Sequence, residues 1–249
     1  SANSSGLGAD TRGNDHHFTV NNLTAVDQST DTCTLNMTTA NPLHFNATIP
    51  SAGTLSDGNL TFTSSQGASS YPAFYSTMAV SQGKWYAEFK VTTAQSGMIG
   101  IGDGIPSGGF LGGSAYDYAL FHSGELYNNG LGESTGYNSY SDNDIIGVAL
   151  DLDNNKVYFH KDNTYMASGN PAGNSGGKSI TASASTTAGV YHFAYGDAGG
   201  TTSTISANFG SPAYAISSGN TDGNGYGNFE YAVPSGYYAL NSKNLAEFG

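Results

Sequence analysis

Between Lys84 and Val91 the chain alternates strictly. Trp85, Ala87, Phe89 and Val91 share one face, and Lys84, Tyr86, Glu88 and Lys90 share the other. A period of two predicts an antiparallel strand, half-buried, with one face on a core and one in water. Ile146, Val148, Leu150 and Leu152 repeat the pattern over 145–152. Asp153-Asn154-Asn155 then turns the chain into Lys156–His160. Asp and Asn tolerate left-handed backbone, so this unit predicts a β-hairpin. Further strands are predicted over 189–195 and 204–209. The stretches 104–118, 127–144, 169–178 and 217–228 are rich in Gly, Ser, Asn and Tyr and predict loops. Residues 14–41 contain neither Gly nor Pro, yet Thr, Asn and Asp dominate and Phe18, Val20, Leu23, Leu35 and Met37 are sparse. That segment predicts extended chain with short strands. No repeat of fixed period is visible, which argues against propellers and solenoids. The pattern predicts an all-β fold: an antiparallel β-sandwich or jelly roll with an extended N-terminal arm. Residues 1–64 form the N-terminal segment, either integral to the sandwich or an anchor, and 65–249 form the sandwich.

Composition sharpens this picture. Aromatics make up 12% of the 249 residues and charged residues only 10%. Tyr, Phe and Trp must therefore carry much of the burial, while abundant Gly, Ser, Thr and Asn disfavour helix. The net charge of −12, with seven Lys and Arg, provides no basic face for phosphates. Nucleic acid and anionic membrane surfaces are accordingly unexpected partners. Cys33 is the single cysteine, so no intramolecular disulfide can form. Ser1–Asp10 lacks the basic start and apolar run of a signal peptide, and no apolar stretch is long enough to span a bilayer.

Several segments taken together resemble a SPRY-type module of the concanavalin-like class, as found in structural proteins of tailed phages. They are Gly83-Lys84-Trp85-Tyr86-Ala87-Glu88-Phe89, the run from Gly147 to Phe159, Phe193-Ala194-Tyr195-Gly196-Asp197, Ala207-Asn208-Phe209-Gly210, and the C-terminal Pro234–Leu245. Upstream, Phe18–Leu23, Thr34-Leu35-Asn36 and Leu55–Leu60 resemble the segment that precedes SPRY in those proteins. The chain departs from the pattern between Phe209 and Pro234, where a Gly/Asn/Tyr-rich stretch is longer than usual. The resemblance implies a non-enzymatic virion protein without cofactor: a tail fibre, spike or capsid decoration. It would assemble as a homo-oligomer with other virion proteins and present the sandwich to a host-surface glycan or protein. A free carbohydrate-binding module or bacterial surface adhesin is the alternative.

Motifs of reactive type read as local structure. Gly173-Asn174-Ser175-Gly176-Gly177 fits the G-x-S-x-G pattern but lacks the strand before it and the helix after it that a nucleophile elbow needs. Asp151, Asp153, Asn155 and Asp162 imitate calcium-loop spacing, yet Lys156 stands where the loop requires Gly. Glu88 has no acidic neighbour two residues away to complete a glycosidase pair. His16 and His17 are adjacent and on a strand would face opposite ways. No catalytic or metal-binding residue is therefore expected. The candidate binding residues are aromatics in the predicted loops: Tyr116, Tyr118, Tyr127, Tyr137, Tyr140 and Tyr226. Tyrosine offers apolar area and a hydrogen-bonding tip at low entropic cost, which suits sugars or proteins.

Overall fold

The computed structural model describes residues 34–46, 52–64, 71–105 and 109–249, with Thr19, Asn21 and Thr32 as isolated positions. Most of the expected N-terminal arm, with Cys33, His16 and His17, lies outside the described residues. In chain order the strands are β1 (Ala40–Asn46), β2 (Gly53–Ser56), β3 (Thr61–Ser64), β4 (Ala73–Ser76), β5 (Lys84–Thr93), β6 (Gly97–Gly102), β7 (Tyr118–Phe121) and β8 (Glu125–Asn128). They continue as β9 (Leu131–Glu133), β10 (Ile145–Asp151), β11 (Lys156–Lys161), β12 (Thr164–Tyr165), β13 (Lys178–Ser179), β14 (His192–Asp197), β15 (Thr204–Asn208) and β16 (Tyr238–Ala239). One helix, α1 (Ser242–Phe248), follows.

Two sheets face each other. One runs β1-β4-β14-β6-β7-β8-β9, and the other runs β12-β11-β10-β5-β15-β3-β2, with β13 added to β11 and β16 lying parallel to β5. The apolar face of β5 points between the sheets as its alternation requires: Trp85, Ala87, Phe89 and Val91 are buried there with Ile146, Val148, Leu150, Phe159, Phe193, Tyr195 and Ile205. The hairpin is in the expected register, Val148 opposite Phe159 and Asp151 opposite Lys156, with Asn155 at φ 52° in the turn. β1 joins one sheet, and β2 and β3 join the other.

The outer face of β5 departs from expectation, since Tyr86 and Glu88 are as buried as the core. The stretch after Phe209 folds over this face and places Phe229, Tyr237 and Ala239 against Tyr86, Ala149 and Tyr158. Glu88 fastens the cover. Its Oε1 accepts from Tyr86 Oη (3.0 Å) and the Tyr231 amide (2.8 Å), and its Oε2 accepts from Asn208 Nδ2 (3.3 Å) and the Glu230 amide (2.9 Å). Burial raises the carboxyl pKa, and these four donors oppose the rise. Next to it, His160 Nδ1 accepts from the Asn163 amide (3.2 Å), so Nε2 carries the proton and donates to Tyr86 Oη (2.7 Å). The imidazole lies across Gly147, where a Cβ would come within 1.8 Å of Nε2. The longer stretch noted in the sequence is thus a packed cover on the nine-stranded sheet.

Candidate functional site: an aromatic cleft on the seven-stranded sheet

The outer face of the other sheet is built from small residues. Register places Tyr75, Ala194, Gly100, Ala119, Tyr127 and Gly132 in one cross-strand row. The adjacent row is Ala73, Gly196, Met98, Phe121 and Glu125. Glycine is required in the middle of both. A Cβ on Gly100 would stand 1.9 Å from the Tyr118 carbonyl oxygen, and one on Gly196 would stand 2.2 Å from that of Pro72. The absence of side chains here leaves a low floor, and the large residues on β6, β7 and β8 rise beside it.

The 109–117 loop folds back along this face. Leu111 is buried against it, and the Gly112 amide and carbonyl bond Asp117 and the Gly130 amide. The loop brings Phe110 to the side of Tyr127. Tyr71, Met98, Phe110, Phe121, Tyr127 and Ala198 then line a cleft of about 350 Å³. Its rings stand as successive walls. Phe110 and Tyr127 are 5.3 Å apart at 88°, Phe121 and Tyr127 5.9 Å at 88°, and Tyr71 and Phe110 6.1 Å at 70°. Met98 is buried at the floor, whereas the four rings are only half-buried. Glu125 stands on the same face as Phe121 and Tyr127. It accepts from Ser123 Oγ (2.7 Å), and its charge together with burial raises the Tyr127 hydroxyl pKa.

At one end of the same face the polar groups are buried. The Tyr75 hydroxyl and Asp117 Oδ1 have no hydrogen-bond partner among the described residues. Burial pushes Asp117 up to about 6 against weaker opposition from Ser114 and Gly112. Asp103 is committed locally, accepting from the Ile105 and Thr187 amides. Among the described residues no three His, Cys, Asp or Glu side chains converge on one point.

The six tyrosines singled out in the sequence do not form one site. Tyr127 alone lines the cleft, and it sits on β8 rather than in a loop. Tyr116 is half-buried on the 109–117 loop, where its amide bonds Ser114 Oγ (3.3 Å). Tyr118, Tyr137 and Tyr140 are core residues, a correction to the surface role expected of them. Tyr118 Oη accepts from the Thr181 amide (3.0 Å), Tyr140 Oη donates to the Gly97 carbonyl (2.6 Å), and Tyr137 packs edge-on to Phe159. Tyr226 lies half-buried on the cover segment beneath Lys243, 5.8 Å from Nζ. Sequence reasoning missed Tyr71, Met98, Phe110 and Phe121. No periodic signal marked them, since Tyr118-Ala119-Leu120-Phe121 is apolar at every position and only its pairing in the sheet separates core from outer side chains.

The other motifs lie at turns. Asp151 accepts from the Asn154 amide and side chain and pairs with Lys84 at 3.1 Å, closing the hairpin turn. Ser175 is exposed in a turn bridged to Asn170.

Comparison with known proteins agrees with this architecture. Residues 84–177 match the family model described as the SPRY domain. Among solved structures, the SPRY domain of human HERC1 superimposes with a TM-score of 0.53 at 13% identity, over 68% of this chain and 96% of that one. At that identity the likeness is one of fold. No curated protein matches the chain. The segment that carries β5, β10 and β11 is thus similar to the SPRY domain, and the sandwich around it shares that fold.

Proposed function

We propose that this chain is a non-catalytic recognition protein of a particle surface, of the tailed-phage type its sequence resembles, and that the cleft on the seven-stranded sheet receives a partner protein. The observation that carries the binding half is the cleft itself: four half-buried rings left open over a buried floor. Apolar area of this kind is costly to leave in water, and recognition sites are where proteins leave it. The opposite sheet supports the contrast, because its own aromatic outer face is closed by the cover segment. The placement half rests on the segments from Gly83 to Leu245 quoted above, and on low charge, which suits repeated copies packed together with other virion proteins. Immunogold microscopy with antibody against this chain tests the placement. Label is expected at the tail tip or over the capsid, and particles bare of label would contradict it. Binding to a glycan array through the same cleft would instead favour a free carbohydrate-binding module.

A further inference from the structure

We infer that the cleft takes an alkylammonium group, the head of a lysine side chain on the partner protein. This rests on the reading of the cleft as a recognition site and adds the chemistry of what enters it. Three observations carry it.

The first is ring orientation. Tyr127 is perpendicular to both Phe110 and Phe121, and Phe110 stands steeply to Tyr71. Walls at right angles offer no flat platform for a sugar ring to stack on. These rings pack against one another edge to face, and only a face left open to the cleft, not an edge, attracts a cation.

The second is charge. Glu125 lies in the same cross-strand row as Phe121 and Met98 and on the face that carries Tyr127. Each described lysine is engaged elsewhere. Lys84, Lys161 and Lys178 pair with Asp151, Asp144 and Glu133. Lys90 and Lys156 donate to the carbonyls of Asn143 and Asn174, and Lys243 covers Tyr226. Among the described residues, then, no cation occupies the cleft, and a net charge of −12 favours one arriving from outside.

The third is the shape of the floor. Met98 supplies an apolar floor suited to an alkyl stem, while the Tyr127 hydroxyl and Glu125, two residues away on the same sheet face, can accept from N–H donors. A lysine head has three such donors on a four-carbon stem. A quaternary ammonium has none, so it would leave the carboxylate unused.

The test is a titration of the full chain at pH 7, read on the Met98 methyl resonance. The probes are n-butylammonium chloride, neutral 1-butanol and tetramethylammonium chloride. Butylammonium is expected to saturate the shift and to bind at least ~5-fold tighter than 1-butanol, the factor expected from one modest cation–π contact. Tyr127→Leu should abolish saturation, and Glu125→Gln should weaken it several-fold without altering the fold. Equal binding of 1-butanol, or no saturation by butylammonium, would overturn the inference. Tighter binding of tetramethylammonium would overturn lysine as the occupant. If the cation fails to bind while cleft substitutions still abolish partner binding, the inference falls and the recognition site stands.

Discussion

His160 gives the fold a pH dependence that can be worked from its surroundings. The side chain is buried on the outer face of β11, donating to Tyr86 and accepting from Asn163, with Tyr231 of the cover segment edge-on to its ring. Burial lowers its pKa to about 3, against about 6.5 in an unfolded chain. The folded pKa lies below the unfolded one. As pH falls below 6.5 the unfolded chain therefore takes up a proton that the folded chain does not, and stability is lost. At 1.36 kcal/mol per unit, lowering the pH from 7 to 5 costs about 2 kcal/mol through this residue alone. Once the folded value lies below about 4, that figure depends only on the unfolded value. The whole protein will not show this slope, because Asp117, raised to about 6, and Glu88 and Asp197, also raised, work in the opposite sense. Each of these destabilises the fold as pH rises through the interval between its unfolded and folded values. The comparison with His160→Gln isolates the histidine. Glutamine keeps a donor for Tyr86 and does not titrate, so its constant cost cancels between pH values. Urea unfolding at pH 7, 6 and 5, with m-values checked for constancy, should show the variant gaining about 2 kcal/mol on the parent between pH 7 and pH 5. A difference independent of pH would refute the neutral, buried imidazole and the proton placement built on it.

Three other outcomes follow from the same geometry. Glu88→Gln should cost about 1–3 kcal/mol or more, because each carboxylate oxygen accepts a backbone N–H and either amide orientation points NH₂ at one of them; limited proteolysis should then cut within 211–233. Gly147→Ala should destabilise by about 1–3 kcal/mol through its clash with the His160 ring, and by clearly less in a His160→Ala background, where thermal melts of the four proteins give the coupling. Gly100→Ala should be worse tolerated than Gly147→Ala, since its new methyl meets the Tyr118 carbonyl rather than a side chain; an equal or smaller loss of melting temperature would contradict the packing of β6 on β7.

Legibility in the sequence followed how far local pattern and tertiary role coincided. The β10–β11 hairpin was readable because both strands alternate and the Asp-Asn-Asn turn has its own chemistry. β14 and β15 were located to within a few residues for the same reason. β6 was not readable. Gly97-Met98-Ile99-Gly100-Ile101-Gly102 alternates, but two of its three outer positions hold glycine, which local reasoning assigns to turns although at Gly100 the close approach of β7 demands it. β7, β8 and β9 are three or four residues each and sit in Gly/Tyr-rich sequence, too short for periodicity to register. Helix α1 was missed as well, though Asn241 caps it by accepting from the Lys243 and Asn244 amides. The grouping of rings in the cleft was not legible. Aromatic recognition was expected, but which rings share a face is decided by register and by the fold-back of the 109–117 loop. Loop composition cannot separate Tyr127, which lines the cleft, from Tyr140, whose hydroxyl is spent on Gly97.

The central claim is that recognition occurs on the open seven-stranded face and not on the covered nine-stranded one. The most direct test is the affinity of labelled chain for intact particles and host surfaces, comparing the parent with Phe121→Ala/Tyr127→Ala and with Tyr226→Ala, each first shown to be folded. The cleft variant should bind at least ~10-fold more weakly, as loss of central aromatic anchors implies, while Tyr226→Ala should bind like the parent. Retention of binding by the cleft variant together with its loss in Tyr226→Ala would contradict the account and move the site to the cover segment.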